Sequence, residues 1–434
     1  MMEQDPNSEP VVVIHEHPPS TWTSSTTGIL PRLQSHLPYS IPLLRRIQHH
    51  LAHPTSTATV LATFPAVHQH ETPRSTAAAA PKEEPWLTAY IDLHAGRETQ
   101  VVIYSSAEAD SSVDVSLPSS ATNAPGPTST GTGSPLSLSL LSSQHSQTIR
   151  RQLLALFQYI KTHLLPEYTA HLAAAEPVTA TATATDHQLP PPPPQAFLIG
   201  NLHTGLLAVL FAGQTQTEKD EHALAAAYTS GLGSVSFVPG LKVHRYDHAP
   251  YVKYLFGREV VCPRDGSATA EPAKDGFRFH TRDGRQGVQR QHFALVRSRT
   301  VIPRSDATLA MLPGAAVYAQ TSGTVDGGEE EETENPVAWA FLGPDGSLAT
   351  LHVEAEYRGQ GLAGRVAREA MRRGMVEDGR WWNGEGEGEE DTTEDGMLVH
   401  TNVAMGNGAS RRVMEKLGGR VGWTVTWTVV EVLQ

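Results

Sequence analysis

Cysteine is almost missing from this chain: Cys262 is the one thiol among 434 residues. That excludes an intramolecular disulfide and any multi-cysteine zinc site, and it is compatible with a reducing compartment. Its neighbours Val260, Val261 and Pro263 read as a strand end, so Cys262 is not read as a nucleophile. Charge is also sparse, at 18% of residues. With abundant Ala, Ser, Thr, Pro and Gly, this predicts folded modules separated by low-complexity segments. No apolar run approaches the roughly 20 residues that cross a bilayer. The opening Met1-Met2-Glu3-Gln4-Asp5 lacks the basic character of a transit or signal segment. A soluble cytoplasmic or nuclear protein without a membrane partner is therefore expected.

A basic surface is missing too. The formal net charge of −13 resides in two acid runs, Asp326–Glu334 and Glu385–Asp395, which together hold the whole excess. The remainder is balanced, so there is no field to draw nucleic acid or an anionic membrane. The runs, in segments 326–334 and 383–396, read as solvated loops, the alternative being a dock for a basic partner.

Turning to what is present, residues 1–34 are polar and Pro/Ser/Thr-rich and are expected to be disordered. An α+β lobe over 35–275 follows. Leu43, Leu44, Ile47 and Leu51 recur at helical spacing behind Ser40 and Pro42. Thr57–Phe64, Trp86–Leu93 and Gln100–Ser105 read as strands, with a turn at His94–Arg97. Ser111–Gln147 is expected to be a flexible insertion. Ile149–Leu172 predicts an amphipathic helix limited by Pro166, and 176–195, with its polyproline tract, a spacer. Ala196–Gly200 and Leu206–Phe211 read as strands, as do Val235–Pro239 and the segment around Lys253. From Gly276 onward the order suggests one further α+β domain, 276–434. Asp306–Leu312, Leu362–Glu377 and Asn407–Leu417 are its predicted helices. Ala316–Gln320, Val337–Leu342, Ser347–Val353, Met397–Val403 and Trp423–Leu433 are its predicted strands.

The stretch Asn335–Gly364 carries the chemistry. Gly343-Pro344-Asp345-Gly346 is a turn between two strands, and the second strand runs into Arg358-Gly359-Gln360-Gly361-Leu362-Ala363 with a helix opening behind it. Glycine lets backbone N–H groups approach an anion, and a helix start adds positive partial charge. Strand, glycine turn and helix N-terminus together suit a pyrophosphate.

This loop, with Glu356-Tyr357 before it, resembles the Arg/Gln-x-x-Gly-x-Gly/Ala loop of the GNAT acetyltransferase superfamily. Asn407-Gly408-Ala409-Ser410 and Met414-Glu415-Lys416-Leu417-Gly418 resemble that superfamily's fourth helix and following turn. The resemblance spans 276–434 and is nearest to the glycine N-acyltransferase-like branch, whose N-terminal half begins Leu-Pro-x-Ser, as Leu37-Pro38-Tyr39-Ser40 does here. It implies an α+β fold with a mixed sheet flanked by helices, and an N-terminal lobe that is a degenerate copy or a separate α+β unit. The implied co-substrate is acetyl-CoA or another acyl-CoA, without a metal, and the implied partner is an amine acceptor. Leu351 and Val353 would pair with the pantetheine arm as an added strand, the N–H of Val353 meeting the oxyanion. Arg358, Gly359, Gln360, Gly361, Leu362, Ala363 and Gly364 would hold the pyrophosphate. Asn407 and Ser410 would lie beside the pantetheine.

The chain departs from the family where the proton is handled. Ser347 stands at the place the resemblance assigns to a general base and cannot serve as one. Met414 replaces a tyrosine acid, and Gly419 an aromatic. Asp345, Ser347 and His352 are the candidate catalytic residues; His352 and Glu354 fall on the wrong strand parity unless a bulge intervenes. His400 reads as packing. His15-Glu16-His17 and His49-His50-x-x-His53 read as solvated, and Trp381-Trp382 as core or lid packing. Arg299–Arg304 would lie near the acceptor side in such a fold, the alternative being an ordinary surface-to-strand transition. Acyl transfer to a small-molecule primary amine, transfer to a protein lysine, and a non-catalytic acyl-CoA-binding scaffold all stay open.

Overall fold

Runs of alternating and β-branched residues become strands along most of the chain. The computed structural model describes residues 11–24, 28–66, 84–96, 98–111, 113–116, 137–174, 193, 195–212, 228, 236–262, 276–300, 302–320, 334–378, 381 and 398–433. Its first half contains β1 (His15–His17), α1 (Ile29–Gln34), α2 (Ile41–Ala52), β2 (Thr59–Ala62), β3 (Leu87–Ile91), β4 (Val101–Ser105), β5 (Val113–Ser116), β6 (Ser137–Leu140), α3 (Ser146–Tyr159), α4 (Leu165–Ala174), β7 (Ala196–His203), α5 (Thr204–Ala212), β8 (Ser236–Val238) and β9 (Leu241–Tyr246). Its second half contains β10 (Tyr251–Phe256), α6 (Arg258–Val261), β11 (Phe277–Arg278), α7 (Phe293–Ser298), α8 (Asp306–Met311), β12 (Gly314–Ala319), β13 (Ala338–Leu342), β14 (Leu348–Val353), α9 (Leu362–Arg372), β15 (Val399–Ala404), α10 (Gly408–Lys416) and β16 (Arg420–Val432).

One order of elements occurs twice. With the hairpin β5–β6 and the short β8 set aside as insertions, two helices, three strands, a helical segment, a strand, a helix and a strand run through α1, α2, β2, β3, β4, α3–α4, β7, α5 and β9. They recur through α7, α8, β12, β13, β14, α9, β15, α10 and β16. In both series the third and fourth strands lie parallel, β4 with β7 at Val101↔Ile199 and β14 with β15 at the bridge Ser347↔His400.

The sheets do not respect the two series. A long sheet runs β1-β2-β3-β4-β7-β16-β10-β15, with β9 also on β16, and a second runs β11-β12-β13-β14. The last strand of the chain, β16, lies beside β7 and β9 of the first series. Strand β10, which precedes residue 275, lies between β16 and β15. Val252, Tyr254 and Phe256 of β10 accordingly share a core with Ala338, Val366, Val399 and Met414. Hydrogen-bonding across this exchange satisfies edges that each half would otherwise leave open.

Several expectations change. Residues 11–24 and 28–34 are ordered: β1 pairs with β2, and Trp22, Ile29, Leu30 and Leu33 enter a core with Leu43 and Ile47. Leu206–Phe211 is helical within α5, whose nine residues are all buried; a short, wholly apolar run carries no periodicity to separate strand from helix. Pro166 does not end its helix, because a π turn at Ile160–Leu164 joins α3 to α4 and absorbs the missing donor. Part of 111–147 is strand, since β5 pairs with β6. Cys262 caps the short helix α6 rather than ending a strand, and burial pushes its thiol pKa up. His17, His49 and His50 are buried, not solvated. His17 Nε2 contacts Phe64 O at 2.9 Å, and His50 Nδ1 contacts the Tyr90 hydroxyl at 3.2 Å. Trp381 is core. Both acid runs apart from Glu334, Trp382, and nearly all of 176–195 lie outside the described residues. Among the described residues no helix is long and apolar enough to cross a membrane.

Candidate functional site

The glycine loop has the backbone its sequence predicts. Gly359 and Gly361 have φ of 80° and 78°, values that cost a side-chain-bearing residue steric strain. A Cβ built on either glycine would meet nothing within 4 Å, so the concave side is open. Gly361 is the N-cap of α9 and no side chain caps that helix. The first-turn N–H groups of Leu362, Ala363 and Gly364 are thus presented toward the opening, next to the exposed Arg358. An exposed, uncapped helix start with a guanidinium beside it fits a pyrophosphate.

Strand β14 leads from this loop into a slot. Glu354 N donates to Val337 O at 2.9 Å, and Gly343 N to Ser347 O at 2.7 Å. Counted back from the Glu354–Val337 bond by antiparallel alternation, Leu351 and Val353 turn their N–H and C=O groups away from β13. Arg358 Nε donates to Val353 O at 3.1 Å, consistent with that direction. Their free side faces β15, and the two strands meet at one end. Besides the Ser347↔His400 bridge, Thr401 Oγ1 donates to Leu348 O at 2.7 Å. Past that point the sheets part.

A bulge interrupts β14. Trp339 pairs with His352 while Phe341 pairs with Ala349, so Thr350 and Leu351 together oppose Ala340. Thr350 carries the strain, with φ of 54°. The extra residue reverses parity and places His352 on the face of Trp339. Its ring stacks on the indole with centroids 4.7 Å apart. His352 Nε2 makes no hydrogen bond and lies 3.5 Å from Glu354 Oε2. Glu354 in turn accepts from Arg299 Nε at 3.0 Å. Burial lowers the His352 pKa, Glu354 opposes this, and Arg358 and Arg299 add to it; the net direction is down.

At the closed end, Asp345 and Ser347 belong to a different group. Asp345 Oδ1 accepts from Ser347 Oγ at 2.6 Å and from Ser347 N at 3.1 Å. Its Oδ2 accepts from Asn201 Nδ2 at 2.6 Å. Lys253 Nζ, wholly buried, donates to Asn402 Oδ1 at 2.8 Å and Asn201 Oδ1 at 3.1 Å. It also lies 3.2 Å from His400 Nδ1. His400 Nε2 meets Asp345 O at 2.9 Å, which assigns the hydrogen to Nε2 and leaves Nδ1 as acceptor. Asn402 Nδ2 donates to Asn201 Oδ1 at 2.7 Å. Burial pushes Asp345 up, but the Ser347 donors and Lys253 outweigh it and hold the carboxyl below its usual range. Burial and Lys253 push His400 down to about 3, so it is neutral. Burial brings Lys253 down to about 7 against the pull of Asp345 and Glu108.

Of the three candidate catalytic residues, the fold therefore places Asp345 and Ser347 together in a satisfied network and His352 apart from them along the slot. Asn407 is the N-cap of α10, its Oδ1 accepting from Ser410 N at 3.0 Å. Asn201, Lys253 and Asn402 were not picked out from the sequence. A lone lysine at the centre of Tyr251-Val252-Lys253-Tyr254-Leu255-Phe256 was the one available signal, since a charge inside a buried strand must be paired.

Two sheets part at the parallel strands β14 and β15, with a glycine loop opening onto a helix, and by family the chain is an acyl-CoA N-acyltransferase. The chain belongs to the family of the acyl-CoA N-acyltransferase verG N-terminal domain, whose model matches residues 11–254, more than half of its length. Comparison with curated proteins finds no match. Among solved structures, a Drosophila protein is 10% identical, covering 97% of this chain and 98% of its own, with a TM-score of 0.43. A protein described as a GNAT-family acetyltransferase from Novosphingobium aromaticivorans is 17% identical over 46% of this chain and 71% of its own, with a TM-score of 0.28. A GCN5-related N-acetyltransferase from Kribbella flavida is 13% identical over 44% and 60%, with a TM-score of 0.23.

Proposed function

We propose that this chain transfers an acetyl or short acyl group from acyl-CoA to a primary amine of a small molecule. The slot between β14 and β15, lined by the outward backbone of Leu351 and Val353 and ending at the uncapped loop 358–364, carries the reading. Acyl-CoA is a substrate here. The loop N–H groups and Arg358 would hold its pyrophosphate, and Leu351 and Val353 its pantetheine arm. His352 is the proton acceptor in this reading. With Nε2 turned to Glu354, Nδ1 takes a proton from the incoming ammonium. The freed amine adds to the thioester carbonyl, where an outward N–H of β14 meets the oxyanion. The C–S bond then breaks, and the leaving thiolate takes up the second proton that the nitrogen sheds as the amide forms. Thr350 and Leu351, side by side in the bulge, bring His352 next to those N–H groups.

The test is thiol release from acetyl-CoA with a panel of small amines and lysine peptides, alongside calorimetric CoA binding. Release with a small amine, and loss of binding in Gly361→Asp, are expected. Binding without release from any acceptor would leave an acyl-CoA-binding scaffold; binding unchanged in Gly361→Asp would remove the loop assignment.

A further inference from the structure

We infer that Asn201 and Lys253, both inside the stretch matched by the N-terminal family model, are positioning residues of the acyl-CoA slot that lies in the other half. The inference rests on the slot reading above and adds a part to it: the N-terminal half sets the closed end against which the pantetheine arm is aligned.

The geometry leads there in three steps. First, β14 and β15 are joined at one place, Ser347↔His400 with Thr401 beside it, so whatever holds residues 343–348 sets how the strands diverge. Second, within the second half that segment is tied mainly by its own turn and by His400 on Asp345 O. The added ties come from elsewhere. Asn201 on β7 holds the Asp345 carboxylate, and Lys253 on the exchanged strand β10 holds Asn201, Asn402 and His400 at once. Arg45 of α2, buried, reinforces this by donating to Trp381 O at 2.7 Å while its side chain packs under Gly346. Third, Asn201 sits in a register shift of β7 with φ of 55°. Asparagine is among the few non-glycine residues that take this conformation readily. Left-handed backbone aims its amide out of the strand ladder and toward Asp345. Strain of this kind persists only where surrounding contacts over-determine it, and here three polar partners, Asp345, Lys253 and Asn402, do so.

The partners are also ordered in charge. Lys253 has three acceptors for its three N–H bonds, the complement a buried ammonium requires. Asp345 has three donors. Asn201 stands between them, accepting on the lysine side and donating on the aspartate side. Reversing Asn201 and Asp345 keeps every donor opposite an acceptor, which makes the network testable without dismantling it.

The experiment uses the full chain in four forms: wild type, Asn201→Asp, Asp345→Asn and the double exchange Asn201→Asp/Asp345→Asn. CoA and adenosine 3′,5′-bisphosphate, which keeps one phosphate of the pyrophosphate and lacks the pantetheine arm, are titrated into each by calorimetry. Asn201→Asp sets two carboxylates face to face and should weaken CoA by about tenfold or more, the scale of a lost charge-assisted hydrogen bond. The bisphosphate, bound by the loop alone, should change less than about twofold, which general loss of structure would not reproduce. The double exchange should return CoA affinity to within roughly threefold of wild type. Hydrogen exchange at the Leu348–Thr350 amides, read without any ligand, should quicken in Asn201→Asp and slow again in the double exchange. Equal CoA affinity in wild type and Asn201→Asp overturns the inference, as does a double exchange that regains thermal stability but neither affinity nor exchange protection. If Asn201→Asp does not fold, Asn201→Gly, which keeps the left-handed backbone, takes its place with the same CoA and exchange expectations. A wild-type chain that binds no CoA defeats the proposed function, and the hydrogen-exchange comparison still decides whether Asn201 holds the turn.

Discussion

His352 lies nearly flat on Trp339, 23° between the rings, with Glu354 behind it. Stacking fixes the imidazole plane, and the nearby carboxylate favours the protonated ring. For a base of this kind the active form is neutral, so thiol release rises with pH through the His352 pKa. That pKa is held below 6.5 by burial, and Glu354 limits the fall while Arg358 and Arg299 deepen it. His352→Gln is expected to lower kcat/KM by roughly 100-fold and to flatten the acid limb. Glu354→Gln removes the one group that raises the pKa, so its acid limb should move to lower pH. An acid limb that stays in place in both variants would take His352 out of the reaction.

Gly359 and Gly361 can each be replaced by alanine without a clash, because nothing lies within 4 Å of the added Cβ. What alanine meets is the backbone, at φ near 80°, which costs about 1–2 kcal/mol per residue. The exposed loop is expected to relax into another shape, and CoA affinity should fall by roughly three- to tenfold per site as the N–H groups lose alignment. Calorimetry of the two single variants checks this, with thermal unfolding close to wild type.

Asn407 caps α10 through its Oδ1. Asn407→Ala should destabilise the protein by about 1 kcal/mol, seen in urea unfolding. Asn407→Asp keeps the cap acceptor and removes the amide donor. Unchanged CoA affinity in Asn407→Asp would confine the residue to capping; a loss in Asn407→Asp would show its amide on the pantetheine.

Glu108 reports on the first half. It is buried after β4, where the second half has its glycine loop, and its Oε1 accepts from Ser105 N at 2.9 Å. Burial raises its pKa to about 8, against Ser105 and Lys253, which lower it. The folded state therefore holds a proton that the unfolded state releases near 4.5. Stability from this site is complete below that value and is lost as pH rises toward 8. Glu108→Gln should be close to neutral at pH 5 and stabilising by on the order of 1–3 kcal/mol at pH 8. Thermal unfolding of the pair at both pH values measures it. A self-capped turn carrying a carboxyl also gives no place to a pyrophosphate, in contrast to Gly359–Gly361.

Most strands of the second half were legible because their apolar pattern is local. The hairpin around Gly343–Gly346 and helix α10 are bounded by residues with capping or turn chemistry, and helix α9 starts at one, Gly361. Leu206–Phe211 was not legible, since a run that is apolar on every side looks the same in a strand and a buried helix. Residues 11–34 were not legible either, because Trp22 and Leu33 are buried by partners far along the chain, not by a local pattern.

By itself the sequence determined the glycine loop and the helix opening behind it, for a physical reason: left-handed glycines and a helix start are properties of contiguous residues. The tertiary structure decided everything that depends on distant residues meeting. A single extra residue at Thr350 turned His352 onto Trp339, and the exchange of β10 and β16 brought Lys253 and Asn201 to Asp345. Strand parity and strand partnership are set by pairing, and pairing is the one thing a linear pattern of residues does not contain.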